Sequence, residues 1–225
     1  SRQHLECLAK IHRLDWKAMG FDAYLPAPSS VEACSDTFID TMLAQYEASR
    51  GEAVPLIVEA AEALRARGPA APAICLCKGT NGLGEEVLRD GRIVAMSDWE
   101  EASIGDPAAD FAFLQNFIPD IVRDGRRLWG MEQALDYYRS CSGIAIDPAS
   151  IAHYAALRAL KAAIFGQKTA AMVHRDPARA EIRHAWNATE VSWFGRKAVC
   201  AALGWTTPPD AQLLAELNLS VEQMA

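Results

Sequence analysis

The sequence predicts an α+β fold that is mainly helical and carries one small β-element. Three observations lead there. Apolar residues recur at helical spacing over most of the chain; the stretch Cys75–Asp110 holds the clearest strand signals; and Asp90-Gly91 inside it favours a tight hairpin turn.

Leu5, Leu8, Ile11 and His12, with Trp16, give the first amphipathic helix, over residues 3–14, with His12 as a packed side chain on or beside its apolar stripe. Pro26 and Pro28 place a loop over Gly20–Ser30. Phe38, Met42 and Tyr46 predict a second helix over 31–49, and a third runs over 54–67, closed by Gly68 and Pro69. The apolar run Ala73–Cys77 reads as a buried strand, and Glu86–Arg89 and Arg92–Met96 as a hairpin around Asp90-Gly91. The glycine-rich loop Lys78–Glu85 then hangs between strand and hairpin, a position that suits ligands. Asp106 and Pro107 mark a helix start, with Asp106 as N-cap and the helix running towards Phe117. Helices follow over 130–142, 148–175 and 177–203, the last begun by Pro177, and Pro208-Pro209 precedes a short final one. Trp186, Trp193 and Phe194 on the late helices either line a pocket or pack the core, and core is the expectation.

Composition excludes several classes of function. Of 225 residues 51% are hydrophobic and 23% charged, as in an ordinary globular protein, and no apolar run approaches the ~20 residues of a membrane span. A net charge of −7 argues against a nucleic-acid surface, which needs a basic stripe. The six cysteines show no paired C-x-x-C and no histidine at zinc-ligand spacing, so reduced buried thiols and a cytoplasmic location are expected. The chain opens on Ser1 and is in a helical pattern by Leu5, which suggests a part of a longer protein.

Two motifs fail on mechanism. Gly79-Thr80-Asn81-Gly82-Leu83-Gly84 has neither the spacing of a dinucleotide fingerprint nor the Lys-Ser/Thr of a P-loop, since Glu85-Glu86 follow. His174-Arg175-Asp176 spells a kinase triplet, but Glu181 stands where its asparagine belongs. The acidic set Asp98, Glu100, Glu101, Asp106 and Asp110 is more informative. Asp98 ends an apolar strand before Trp99, which predicts a partly buried carboxylate needing a partner such as a metal ion.

The run DGRIVAMSDWEEASIGDPAADFAFL closely resembles the aminoglycoside-phosphotransferase and choline-kinase-like family, in which a hairpin leads to D-W-E and then G-D-P-x-x-D. LAKIHRLDW with the following Gly20 is similar to the helix that begins that family's C-terminal lobe, so the resemblance covers nearly the whole chain. It implies that residues 1–225 form the C-terminal, acceptor- and metal-binding lobe of a protein-kinase-like fold, without the β-rich nucleotide lobe. It further implies phosphoryl transfer from ATP or another nucleoside triphosphate, with Mg²⁺, to the hydroxyl of a small molecule.

By the same resemblance Asp98 is the metal-binding aspartate and Asp110 a structural anchor for the catalytic loop. The family's H-G-D-x-x-x-x-N falls on Lys78–Glu85, where only Gly79 matches: Lys78 replaces His, Thr80 the catalytic Asp, and Glu85 the metal-binding Asn. Thr80 and Lys78 thus stand at catalytic positions, Lys78 and Gly79 at nucleotide-binding ones, and Glu85 joins Asp98 as a second metal ligand. Lys78 either contacts a phosphate or pairs with Glu85 or Glu86, with pairing favoured. The altered loop admits an alternative, a pseudokinase-like ligand-binding protein. Helices over 31–67 and 130–203 are expected to form the acceptor pocket.

Overall fold

The computed structural model describes residues 1–49, 53–82, 84–179 and 181–206. Its elements run α1 (Arg2–His12), α2 (Cys34–Ser49), α3 (Pro55–Arg65), β1 (Cys75–Cys77), β2 (Glu86–Arg89), β3 (Arg92–Met96), β4 (Ser103–Gly105), α4 (Ala108–Leu114), β5 (Ile121–Arg123), β6 (Arg126–Trp129), α5 (Met131–Ser142), α6 (Pro148–Arg175), α7 (Ile182–Trp186) and α8 (Ser192–Leu203). The fold is α+β and mainly helical, as expected. The final helix expected after Pro208-Pro209 lies outside the described residues.

The 28-residue α6 is the axis of the molecule, with α2, α3, α4 and α8 packed against it. Asp147 starts it by accepting the Ala149 N–H at 2.8 Å, and Pro148 occupies the first helical position, where the missing N–H costs nothing. One continuous apolar core joins Leu5 and Leu8 of α1, Ile39 and Met42 of α2, Phe111 of α4, Tyr138 of α5 and Leu157 and Leu160 of α6.

Among the described residues the β-structure is three antiparallel pairs rather than one element. β1 pairs with β4, which closes the chain segment between them into a loop-and-hairpin excursion, and β2 pairs with β3 over the predicted residues. The third pair, β5–β6, is absent from the sequence reading. Its signal was present: Asp124-Gly125 repeats Asp90-Gly91, and both dipeptides take the same turn, with φ +50 and +72 at the first and +51 and +72 at the second.

Two expectations about the last third are corrected. Pro177 does not start a helix; α7 begins at Ile182, where Glu181 and His184 exchange side-chain and backbone hydrogen bonds in a capping box. A π-helical turn, Asn187–Val191, then leads into α8. Trp186, Trp193 and Phe194 are not core residues, being 58%, 59% and 67% exposed. The inner face of α8 is taken by Ser192, Gly195 and Val199 instead. A Cβ on Gly195 would lie 2.6 Å from the Ala159 carbonyl oxygen, so α8 approaches α6 too closely for large side chains to fit between them.

Candidate catalytic-loop site

The loop after β1 is held by side chains of α1, α4 and α6. Asp110, buried in the first turn of α4, accepts the Lys78 N–H at 2.9 Å on Oδ2 and the Gly79 N–H at 2.7 Å on Oδ1. His12 of α1 closes the bracket, its Nε2 at 2.9 Å from Asp110 Oδ2 and its Nδ1 at 2.7 Å from the Tyr138 hydroxyl. Burial alone would push the Asp110 carboxyl up. The His12 hydrogen bond and charge, with the Gly79 and Lys78 N–H groups, reverse this and hold it below its ordinary value. His12 is thus a packed side chain, but one that orients the anchor of the loop.

From α1, His4 bridges Glu86 Oε1 at 2.8 Å and Asn81 Oδ1 at 3.3 Å. From α6, Arg158 donates to the Gly79 carbonyl at 3.1 Å. Gly79 has φ +88, and a Cβ there would sit 2.2 Å from the Glu101 carbonyl oxygen, so only glycine lets the loop cross the following chain at this point. His4, Asn81 and Arg158 were not singled out in the sequence. Asn81 lay within the glycine-rich loop, while nothing in the spacing of His4 or Arg158 marked them.

Lys78 is fully buried and its ammonium is consumed locally. It donates to Glu85 Oε2 at 2.7 Å, to the Asp98 carbonyl at 3.1 Å and to the Thr80 carbonyl. The favoured pairing therefore forms, with Glu85. Glu85 also accepts the Gly82 N–H at 2.7 Å on its other oxygen. Thr80 directs its hydroxyl to the Asp98 carbonyl, so this loop position presents a hydrogen-bond donor rather than a carboxylate.

Asp98 differs from expectation: it is exposed rather than partly buried. The chain turns outward after β3 with Asp98 at φ +62, a left-handed conformation that aspartate tolerates better than most residues. Its backbone carbonyl points inward to Lys78 and Thr80, and its carboxylate has no hydrogen bond or ion pair among the described residues.

A hard divalent cation takes oxygen ligands. Asp98 meets that requirement with a free carboxylate beside the loop. Glu85 meets it in part, since the Lys78 ammonium on Oε2 competes with any cation there. A different set, His12, Cys77 and Asp110, converges within 4.8 Å, but it belongs to the buried anchor, where His12 and Asp110 are already hydrogen-bonded to each other.

Asp106 begins α4 nearly as expected: its Oδ1 accepts the Ala108 N–H at 2.8 Å, although the helix opens one residue later, after Pro107. Burial pushes its carboxyl up to about 6, against the opposing Ala108 hydrogen bond and His12 charge. All six cysteines are free thiols; burial raises Cys34 and Cys75 to about 12.

Two clefts open between α2 and α6 beside the loop. One, of about 270 Å³, is lined by Phe38, Thr41 and Met42 of α2 and by Glu101 and Lys161. The other, of about 210 Å³, is lined by Gln45 and Ser49 of α2, Arg158, Lys161 and Lys168 of α6, and again Glu101. Trp193 lines neither; it borders a separate surface hollow of about 550 Å³ with Arg196.

Several known proteins are similar to this chain. The model of the family described as "Phosphotransferase enzyme family" matches residues 2–144. Acyl-CoA dehydrogenase family member 11 of Rattus norvegicus is 30% identical over 158 residues, which are 64% of this chain and 20% of that protein. Among solved structures, a "putative aminoglycoside phosphotransferase" of Ralstonia eutropha superposes with a TM-score of 0.66 at 17% identity, over 92% of this chain and 65% of the other. A macrolide 2'-phosphotransferase of Brachybacterium faecium gives a TM-score of 0.49 at 21% identity, over 93% and 61% of the two chains. The chain thus spans a fifth of the curated relative and less than two thirds of the Ralstonia protein.

Proposed function

The chain belongs to the phosphotransferase enzyme family, and on that premise we propose that it is the acceptor- and metal-binding lobe of a kinase-like phosphotransferase acting on a small hydroxylated molecule. The donor is ATP or another nucleoside triphosphate. The acceptor hydroxyl oxygen bonds to the γ-phosphorus as the bond to the β-phosphate oxygen breaks, the nucleoside diphosphate leaves, and the hydroxyl proton passes to water or to a phosphoryl oxygen.

The observation that carries this reading is the unpaired Asp98 carboxylate next to a loop fixed by Asp110. A bound Mg²⁺ would neutralise phosphate charge there, with Asp98 as its ligand and Glu85 as a second one once Lys78 yields. Asp110, through Lys78 and Gly79, sets the backbone on which Thr80 stands. Lys78 serves as an internal strut and is not free for the nucleotide phosphates in this arrangement, while Gly79 lets the loop lie close to Glu101. Thr80 accepts no proton at neutral pH. General-base assistance contributes about 10²–10⁴-fold, so its loss slows a transfer that relies mainly on positioning and charge without abolishing it.

The Lys78–Glu85 pair favours a second reading, a pseudokinase-like protein that binds ligand without turnover, because it ties up two of the three replaced loop positions. One experiment separates the two: ATP consumption by the full-length protein against small alcohols, aminoglycosides and hydroxyacyl thioesters, the last suggested by the name of the acyl-CoA dehydrogenase relative. Turnover that needs Asp98 supports transfer. Calorimetric binding of ATP and Mg²⁺ with no turnover supports the second reading.

A further inference from the structure

The lining of the smaller α2–α6 cleft is cationic in a chain of net charge −7. Its charged residues are Arg158, Lys161 and Lys168 against a single carboxylate, Glu101. Glu101 is divided between two of them, with Oε2 at 3.3 Å from Arg158 and Oε1 at 3.0 Å from Lys161. Lys168 has no carboxylate partner among the described residues, so the cleft carries uncompensated positive charge at its outer end.

The order of these groups along α6 gives the cleft a direction. Arg158 lies at the inner end, bonded to the carbonyl of Gly79, the residue before Thr80, and stacked 4.3 Å from the Phe113 ring centroid. Lys168 follows ten residues on, which at about 1.5 Å per residue is roughly 15 Å of helix. Between them the wall is apolar, formed by Ala162, Ile164 and Phe165, with Gln45 and Ser49 opposite.

Resting on the phosphotransferase reading above, the geometry points to an acceptor that carries its own anionic group, a carboxylate or a phosphate, at the end remote from the hydroxyl that is phosphorylated. Lys161 and Lys168 hold the anion, the apolar wall covers a hydrocarbon spacer, and the hydroxyl reaches the Thr80–Asp98 end. A polycationic acceptor is disfavoured by the same charges.

The test uses the full-length protein and three probes of one length: ω-hydroxyoctanoate, ω-hydroxyoctyl phosphate and uncharged octanediol. Their dissociation constants are measured by calorimetry without nucleotide, in wild type and in Lys168→Ala and Lys168→Glu, with thermal unfolding as a check that each variant folds. The expected result is an anionic probe bound about fivefold or more tighter than the diol, a preference that Lys168→Ala reduces towards unity and Lys168→Glu inverts. Preference for the carboxylate or for the phosphate tells the two anions apart. Equal binding of all three probes, no saturable binding of either anion, or a preference untouched in both folded variants overturns the inference. Because no nucleotide is present, it fails or survives separately from phosphoryl transfer: turnover with uncharged acceptors as good as anionic ones sinks the anion site alone, and an anion preference without any ATP consumption sinks the transfer reading alone.

Discussion

Replacing Lys78 by methionine removes the ammonium while nearly keeping its volume, and the structure fixes what is left behind. Glu85 keeps the Gly82 N–H but loses its one cation among the described residues, with its side chain 14% exposed. The Thr80 carbonyl loses its lysine donor, while the Asp98 carbonyl retains the Thr80 hydroxyl. Removing one partner of a buried ion pair costs about 3–5 kcal/mol, and the remaining solvent contact of Glu85 places this case at the lower end, about 3 kcal/mol. For a domain of this size that lowers the melting temperature by about 6–12 °C. Lys78→Met with Glu85→Gln leaves no unpaired charge and keeps an acceptor for Gly82, so it recovers about 2 kcal/mol of the loss, a coupling that urea and calorimetric unfolding of the four proteins of the cycle measures. A single-variant cost below about 1 kcal/mol, or a double variant no better than the sum of its parts, would refute the strut.

Four further outcomes follow from the same geometry. Asp106 has a folded pKa of about 6, above its ordinary 3.8, so the stability held by its protonated form is present below pH ~4 and lost as pH rises towards 6. Asp106→Asn flattens that slope, worth about 2–3 kcal/mol, and unfolding curves between pH 4 and 7 that keep their steepness would count against it. Asp110 contributes with the opposite sign, being lowered, so its share is present above pH ~4 and falls away below. Gly79→Ala forces a Cβ into the Glu101 carbonyl at a positive φ and costs about 2–4 kcal/mol, read by thermal unfolding; a loss under 1 kcal/mol would mean that the loop has room to move. Thr80→Asp places a carboxylate near the Lys78 ammonium, 3.4 Å from the present hydroxyl, and raises kcat about tenfold or more if a base is what the loop lacks; an unchanged kcat in a stable variant denies that role.

The parts of the fold written in local chemistry were legible in the sequence. Asp90-Gly91 gave the first hairpin, Asp147-Pro148 the start of α6, and the G-D-P-x-x-D run the start of α4. The β5–β6 hairpin carries the same turn signal at Asp124-Gly125, but its strands are short, exposed and rich in arginine, lacking the apolar alternation that marks a half-buried strand. The outward face of Trp193 and Phe194 could not be read from hydrophobicity, because it follows from the close approach of α8 to α6 through Gly195 and Ser192, which is a tertiary fact.

The loop divides in the same way. That Lys78 would pair with Glu85 follows from sequence separation and charge, but its complete burial and its bonds to two carbonyls depend on where β3 turns out at Asp98. The same outward turn explains why Asp98, read as the partly buried end of an apolar strand, is exposed: its backbone faces the loop, so its side chain faces solvent. Arg158 reaches the loop from a helix 79 residues away in sequence, and only packing reveals it.

Asp98→Asn puts the proposed role of Asp98 in phosphoryl transfer to experiment. Because that carboxylate is exposed and unpaired among the described residues, the substitution leaves the fold unperturbed, and thermal unfolding within about 0.5 kcal/mol of wild type is expected. With the full-length protein, Mg²⁺, ATP and an accepted hydroxyl compound, the expected result is Mg²⁺-dependent phosphorylation that falls about 100-fold or more in Asp98→Asn. Phosphorylation that proceeds equally well without Asp98, or no phosphorylation of any acceptor by the wild-type protein, would contradict it.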